Sequence, residues 1–418
     1  MEWTSPDGKG PIVSLPAVAR RHPENGRSVR HGRLLTGSQV SSLYARQPQA
    51  VSVTQGELWD VAIAIGALLY IPASRADLAA DVRRAQRHGI AAVVLDLEDG
   101  VARADQDLAW QQAQAVCREG SDGVLVFVRP RRPDDVPAVV SALADTSAAG
   151  IVLAKADAAA VRRCAAALAE HSGSFRWVLP IVETREFLAP TTRGAALADL
   201  ADAVADHRDR VLSLRLGGTD LSGLLGARRE ADLTMYEVQA IAGLVGDLAA
   251  TFAGVGGTPV AGSVWEHLRK HRGVGRWRRA PADSAARFES VHPARVAAFE
   301  AHYRGLIREV RLDQANGLTG KSVIHPEHAV IVNALSAVRF DEWQDALAVQ
   351  AADRHGGGAS RSQAGTRMLE AAPHALWAAR TMARARAFGV LRHGVTLHGV
   401  LTAFLESVGD PYRERRGT

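Results

Sequence analysis

Eight short apolar runs, each followed by a stretch with helical spacing, set the limits on how this chain folds. They are Ala67–Ile71, Ala92–Leu97, Val124–Val128, Gly150–Ala154, Trp177–Val182, Val211–Leu216, Thr258–Ala261 and Lys321–Ile324. Continuous apolar runs of this length suit strands covered on both faces. Between them lie segments such as Ala76–His88, where Leu78, Val82 and Ala85 share one helical face. Ser74 with Asp77 reads as a capping box at its start, and Gly89 as its C-terminal stop. Strand–helix alternation implies parallel pairing with right-handed crossovers. Eight repeats over roughly 260 residues match an α/β fold of the (β/α)8 barrel type better than a doubly wound open sheet. No Gly-x-Gly-x-x-Gly follows an early run, which argues against dinucleotide binding. The seventh run carries Pro259 and Gly262, both poor residues for a strand interior.

The 418 residues leave room for appendages around such a barrel. Residues 1–55 are rich in Arg, Ser, Gly, Pro and Gln and lack periodicity, so they read as a disordered basic tail. Its arginines (Arg20, Arg21, Arg27, Arg30, Arg33) have no interleaved aromatics, which favours a solvated tail over RNA binding. The barrel domain is expected over 56–340 and a helical extension over 341–418. The extension reads as helix, a Gly/Ser-rich linker at 356–362, helix over Pro373–Ala387, and an amphipathic stretch over Thr396–Val408. A basic loop, 269–279, follows the seventh run and would overhang the catalytic face; if functional, it suits an anionic substrate arm such as a phosphate. Net charge is only +5, so nucleic acid is not an expected partner. Two cysteines, Cys117 and Cys164, form neither a disulfide framework nor a zinc motif, and no apolar run approaches a membrane span. A cytoplasmic protein without a membrane partner or a leader segment is expected.

The C-terminal ends of barrel strands are where chemistry collects. There the runs place Arg75, then Asp96, Glu98 and Asp99, then Arg129, Lys155, Glu183, Asp220 and His325. Charges brought to one rim are costly to desolvate unless they pair or bind a ligand. Glu183 and Asp220 suit a Mg2+ site completed by water, with the cation chelating a 2-oxo or hydroxy acid and stabilising an enolate. Arg129 suits a second oxyanion, and Gly217 and Gly218 allow close approach of the backbone to a ligand. The other readings are structural. Asp220 suits a helix N-cap, Glu183 less so. Asp96, Glu98 or Asp99 can pair with Lys155 or Arg129, and His325 can be a core or supporting histidine.

The motifs around these residues resemble the superfamily of citrate lyase beta subunits, malyl-CoA lyases and 2-oxo-acid aldolases. Leu69-Tyr-Ile-Pro-Ala-Ser-Arg75 is similar to its opening strand, and Val94-Leu-Asp-Leu-Glu-Asp-Gly100 to its LDLED segment. Val126-Phe-Val-Arg-Pro130 resembles VRxN, with Pro130 replacing the usual small residue, and Leu153-Ala-Lys-Ala156 resembles PKV. Val182-Glu-Thr184 resembles IET, Leu216-Gly-Gly-Thr-Asp-Leu221 resembles FGxxDL, and Gly320-Lys-Ser-Val-Ile-His-Pro326 resembles GKxxIHP. Thr366-Arg-Met-Leu-Glu-Ala-Ala-Pro373 is similar to a late motif of the citrate/malyl branch. Together these span about residues 67–390, in the family's order.

The resemblance implies a Mg2+-dependent carbon–carbon lyase on a TIM barrel, with Glu183 and Asp220 as metal ligands. It implies catalytic roles for Arg129, Asp99 and Glu370, and substrate contacts from Arg75, Lys155, Gly217, Gly218, Thr219 and His325. In that branch the late-motif aspartate enters a neighbouring subunit's site. Here Glu370 takes its place, followed by one extra alanine. A homo-oligomer is therefore expected, with the extension contacting a neighbour. The long Glu183–Asp220 spacing and the long loop after the seventh run resemble citrate-lyase-like proteins found among tellurium-resistance-associated bacterial proteins. The expected activity is lysis or formation of a bond beside a carbonyl, on a CoA thioester or other phosphate-bearing small molecule. The alternatives are a pyruvate-type aldolase and a non-catalytic ligand-sensing barrel.

Overall fold

The computed structural model describes residues 28–54, 56–121, 123–171, 175–255, 257–269, 293–354 and 357–408. Eight strands form one parallel sheet: β1 (Ala67–Pro72), β2 (Ala92–Asp96), β3 (Leu125–Arg129), β4 (Ala148–Leu153), β5 (Trp177–Val182), β6 (Leu214–Leu216), β7 (Val260–Ala261) and β8 (Lys321–Val323). Each pairs with the next in sequence, and β8 returns to β1 in register Lys321 with Ala67. A parallel bridge from Gly262 to Lys321 joins β7 to β8 and closes the barrel. All eight apolar runs thus become strands, and β2, β4 and β5 are buried along their whole length. Helices cover the outside, which is why these runs do not alternate apolar with polar. Burying one such Val, Leu or Ile contributes about 1.5–3 kcal/mol.

The first outer helix runs Leu78–Arg87, buries Leu78, Val82 and Ala85, and ends at Gly89, whose φ of 71° only glycine adopts at little cost. Its N-cap is Asp77, accepting from the Ala80 N–H, and not Ser74 as the spacing had suggested. The two short residues Val260–Ala261 are all that remains of the run holding Pro259 and Gly262.

The expected disordered tail is corrected for residues 28–54. Ser28–Val29 pairs with Val51–Ser52, and Tyr44–Arg46 pairs with Val390–Leu391. His31 stacks on Phe388 with ring centroids 4.1 Å apart. These strands are two or three residues long, too short to show a local periodicity, and Tyr44–Arg46 takes its partner from the far end of the chain. Residues 1–27, including Arg20, Arg21 and Arg27, lie outside the described residues, as does the basic loop beyond Arg269.

In the C-terminal extension, Phe340–Arg354 packs on Ala371–Phe388 through Ala346, Val349, Leu369 and Ala378. The expected linker is partly a strand: Ala359–Arg361 pairs antiparallel with Met368–Glu370. Helix Leu397–Val408 lies on Pro293–His302 and Pro326–Ser336 of the same chain. Among the described residues, no helix is long and apolar enough to cross a membrane.

Candidate active site

The C-terminal ends of β2 to β6 bring Asp96, Glu98, Asp99, Arg129, Lys155, Glu183 and Asp220 to one rim. Asp96 closes β2 and Arg129 closes β3, directly opposite in register. The Arg129 fork binds both Asp96 oxygens, at 2.7 and 2.8 Å. Its third nitrogen, Nη1, stands 3.0 Å from Glu98 Oε2, an ion pair without hydrogen-bond alignment. Burial works against the guanidinium charge, but the Asp96 bonds outweigh it and raise the Arg129 pKa. The paired reading of Asp96 therefore holds, and the clamp expected of Arg129 is already closed on a carboxylate of the same chain.

Lys155 is the centre of the rim. It is the only described non-glycine residue with positive φ, 49°. That turn aims its N–H at Glu183 Oε1, 2.7 Å away. Its ammonium donates to Glu98 and lies 3.5 Å from Asp99 and 3.7 Å from Asp220 Oδ1. Burial lowers the Lys155 pKa, and the Glu98 bond with the surrounding carboxylates more than reverses this, so the side chain stays charged. Strained backbone of this kind costs roughly 1–3 kcal/mol and persists only where surroundings enforce it.

Glu183 is only 4% exposed. Burial, and then repulsion from Asp220, pushes its carboxyl up to about 8, against the Lys155 N–H bond. Glu98 is likewise raised by burial, against Arg129 and Lys155. A Cβ added at Gly217 would stand 2.0 Å from Glu183 Oε2, so glycine is required where β6 passes this carboxylate. The helix-cap alternative for the pair falls away. The helix Gly218–Leu224 starts at Gly217 with Asp220 inside its first turn, and Thr184, not Glu183, precedes the helix Arg185–Leu188.

Other expected site residues have their own partners. Arg75 pairs with Asp81. Thr219 donates to Glu266 at 2.6 Å, and the Gly218 N–H to Ser263 Oγ at 3.0 Å. His325 is the N-cap of Pro326–Ser336, its Nδ1 accepting from the Glu327 N–H at 3.2 Å. Glu370 begins the helix Ala371–Phe388, where its N–H meets His374. Among the described residues, no hydrogen bond or ion pair links Glu370 to Glu183, Asp220 or Lys155.

A cavity of about 390 Å3 beside Lys155 is lined by Glu98, Asp99, Gln106, Arg131, Arg132 and Lys155. Sequence reading passed over Arg131 and Arg132, and also Arg215 of β6, which is 2% exposed inside the barrel. Its Nε donates to Ser322 Oγ at 3.0 Å and it lies beside Tyr70, over whose ring Arg129 sits at 5.2 Å. The available signal was an arginine embedded in the apolar run Val211–Leu216.

The fold is shared with the CitE protein of Mycobacterium tuberculosis solved with magnesium, acetoacetate and coenzyme A: 23% identity over 77% of this chain and 97% of that one, TM-score 0.52. A citrate lyase beta subunit of the same organism, complexed with oxaloacetate and magnesium, matches at 23% identity over 65% and 96%, TM-score 0.43. RipC from Yersinia pestis matches at 18% over 65% and 94%, TM-score 0.41. No curated protein matches the chain. The model of the carbon–carbon bond lyases of the TIM-barrel fold matches residues 60–390. With that match over most of its length, and with a closed barrel of eight parallel strands, this chain belongs to that lyase family.

Proposed function

We propose that the protein is a Mg2+-dependent carbon–carbon lyase in which Glu183 and Asp220 hold the cation. The carrying observation is geometric: the buried Glu183 carboxylate, held by the Lys155 N–H at 2.7 Å, stands close enough to Asp220 that burial and then Asp220 repulsion push it up to about 8. An all-oxygen pair suits a hard divalent ion. Among the described residues no group of three or more His, Cys, Asp or Glu side chains could hold a metal, so water and substrate would supply the remaining ligands. The M. tuberculosis CitE complex with magnesium and acetoacetate supports the same reading.

The bound cation would draw off the negative charge that develops on the substrate carbonyl oxygen as the carbon–carbon bond breaks. The chain's own residues do the rest. The Lys155 N–H fixes the orientation of Glu183, and Gly217 lets β6 pass close to that carboxylate. The Lys155 ammonium and Arg129 hold Glu98 and Asp96 in place, so the geometry of the rim is set before substrate arrives. Asp99, largely exposed at the cavity mouth, is the nearest candidate for moving a proton. Arg131 and Arg132 would receive an anionic arm of a hydroxy-acyl or 2-oxo acid substrate, such as the phosphates of a thioester carrier. Glu370 would act in a neighbouring subunit, which makes the active form an oligomer.

The test is calorimetric titration of Mg2+ into Glu183→Ala and Asp220→Ala, alongside lyase turnover and thermal unfolding. Both variants should fold, lose Mg2+ binding and lose turnover. Wild-type Mg2+ affinity in either variant would remove that residue from the site.

A further inference from the structure

Every buried guanidinium at the heart of this barrel should have an anion. Arg129 has Asp96 and Arg229 has Glu309, which it meets at 2.6 Å. Arg215 has neither. Its side chain is nearly sealed from solvent, its neutral partners are the Ser322 hydroxyl at Nε and the Tyr70 hydroxyl, and its Nη2 has no hydrogen-bond partner. Leaving a charged group unpaired in such a place is strongly unfavourable.

The position of Arg215 says where the missing anion belongs. In register it stands opposite Ile181, two residues before Glu183. Strand alternation puts Arg215 and Gly217 on the same face of β6, and Ile181 and Glu183 on the same face of β5. Tyr70 lies between Arg215 and Arg129. Arg215 is therefore beneath the rim pair and facing the same interior, with donors in the planar fork that suits a carboxylate.

We propose that Arg215 is an anion-binding residue in the floor of the active site, taking a carboxylate oxygen of a small oxo acid whose reacting end lies at Glu183 and Asp220. It makes the substrate complete the charge balance of the barrel interior. The apo fold tolerates the unpaired cation; the complex does not have to.

Because this assignment rests on the metal role of the rim pair, Mg2+ binding is measured separately from anion binding. Oxalate serves as the probe, titrated into Mg2+-saturated wild type, Arg215→Met and Arg215→Lys. Arg215→Met should keep its Mg2+ affinity, melt at or above the wild-type temperature without oxalate, and bind oxalate about 10- to 100-fold more weakly, the scale of one lost charged hydrogen bond. Arg215→Lys, which keeps the charge but not the fork, should fall between the two. Unchanged oxalate affinity in Arg215→Met, with Mg2+ binding intact, assigns Arg215 to the scaffold and overturns the proposal while sparing the metal site. Absence of Mg2+ binding in the wild type overturns both. Should Arg215→Met not fold, Arg215→Lys decides: wild-type oxalate affinity there overturns the proposal.

Discussion

Two lysines at strand ends each gather carboxylates, and they do opposite things. Lys321, at the start of β8, is 1% exposed. Its ammonium meets Glu309 at 2.8 Å and Asp313 at 2.9 Å. The remaining oxygens of those acids are filled by Arg229, the Met235 N–H and the Tyr236 hydroxyl. Charge and hydrogen bonds both close, and Lys321 and its two acids are buried between β8 and the helix Arg304–Ala315. Lys155, at the end of β4, has a half-exposed side chain and lies among Glu98, Asp99 and Asp220 without balancing them. Glu183 next to it is buried, with the Lys155 N–H on Oε1 and the Asp220 charge nearby. Charge in the barrel wall is therefore no mark of function by itself; unmatched charge is.

The largest effect is expected at Lys321. Lys321→Met should destabilise the protein by about 3–5 kcal/mol, because it leaves Glu309 and Asp313 buried without a cation. Denaturant unfolding measures this. Mg2+ affinity of the folded fraction should not change. A loss under about 1 kcal/mol would mean the network relaxes to water, and the contrast with Lys155 would collapse.

His31 sharpens the contrast from another side, as a buried titratable group with no counter-ion. Its Nε2 lies 2.7 Å from the Ala64 carbonyl, and burial lowers its pKa from 6.5 to about 4. The unfolded chain takes up a proton below pH 6.5 and the folded chain only below about 4. The stability tied to neutral His31 is whole above pH 6.5 and is lost as pH falls toward 4, a span worth about 3 kcal/mol. Unfolding free energies of wild type and His31→Gln, compared across that window, should converge by about that amount. Parallel curves would show that His31 titrates as in a peptide.

How far these regions were legible in the sequence follows the same physics. The eight strands were readable because each is an unbroken apolar run, the direct mark of burial on both faces. Glu183, Asp220, Lys155 and Asp99 were readable as candidates because each follows such a run, and the structure brings them together. Arg75, Thr219 and His325 sit at similar places in the sequence yet have local partners, Asp81, Glu266 and the Glu327 N–H. Those partners are not visible from strand-end position alone. Arg215 was hidden for the converse reason: its Ser322 partner lies 107 residues away, so an isolated arginine in an apolar run shows no purpose. The Tyr44–Arg46 strand was missed because its mate, Val390–Leu391, comes from the far end of the chain.

The smallest effect tests whether Lys155 is held in its unusual backbone conformation by the site. At φ 49°, any side chain costs about 1 kcal/mol relative to glycine. Its half-exposed ion pairs return at most about 1 kcal/mol. Lys155→Gly removes both, and keeps the N–H that fixes Glu183. Lys155→Ala removes the ion pairs and keeps the strain. The glycine variant should therefore be about 1 kcal/mol more stable than the alanine variant in denaturant unfolding, and close to wild type. Lys321, in ordinary strand geometry, should show the reverse order, since glycine in a strand weakens it. Equal stability of the two Lys155 variants would mean that the left-handed turn carries no strain, and that Lys155 is placed by its ion pairs alone.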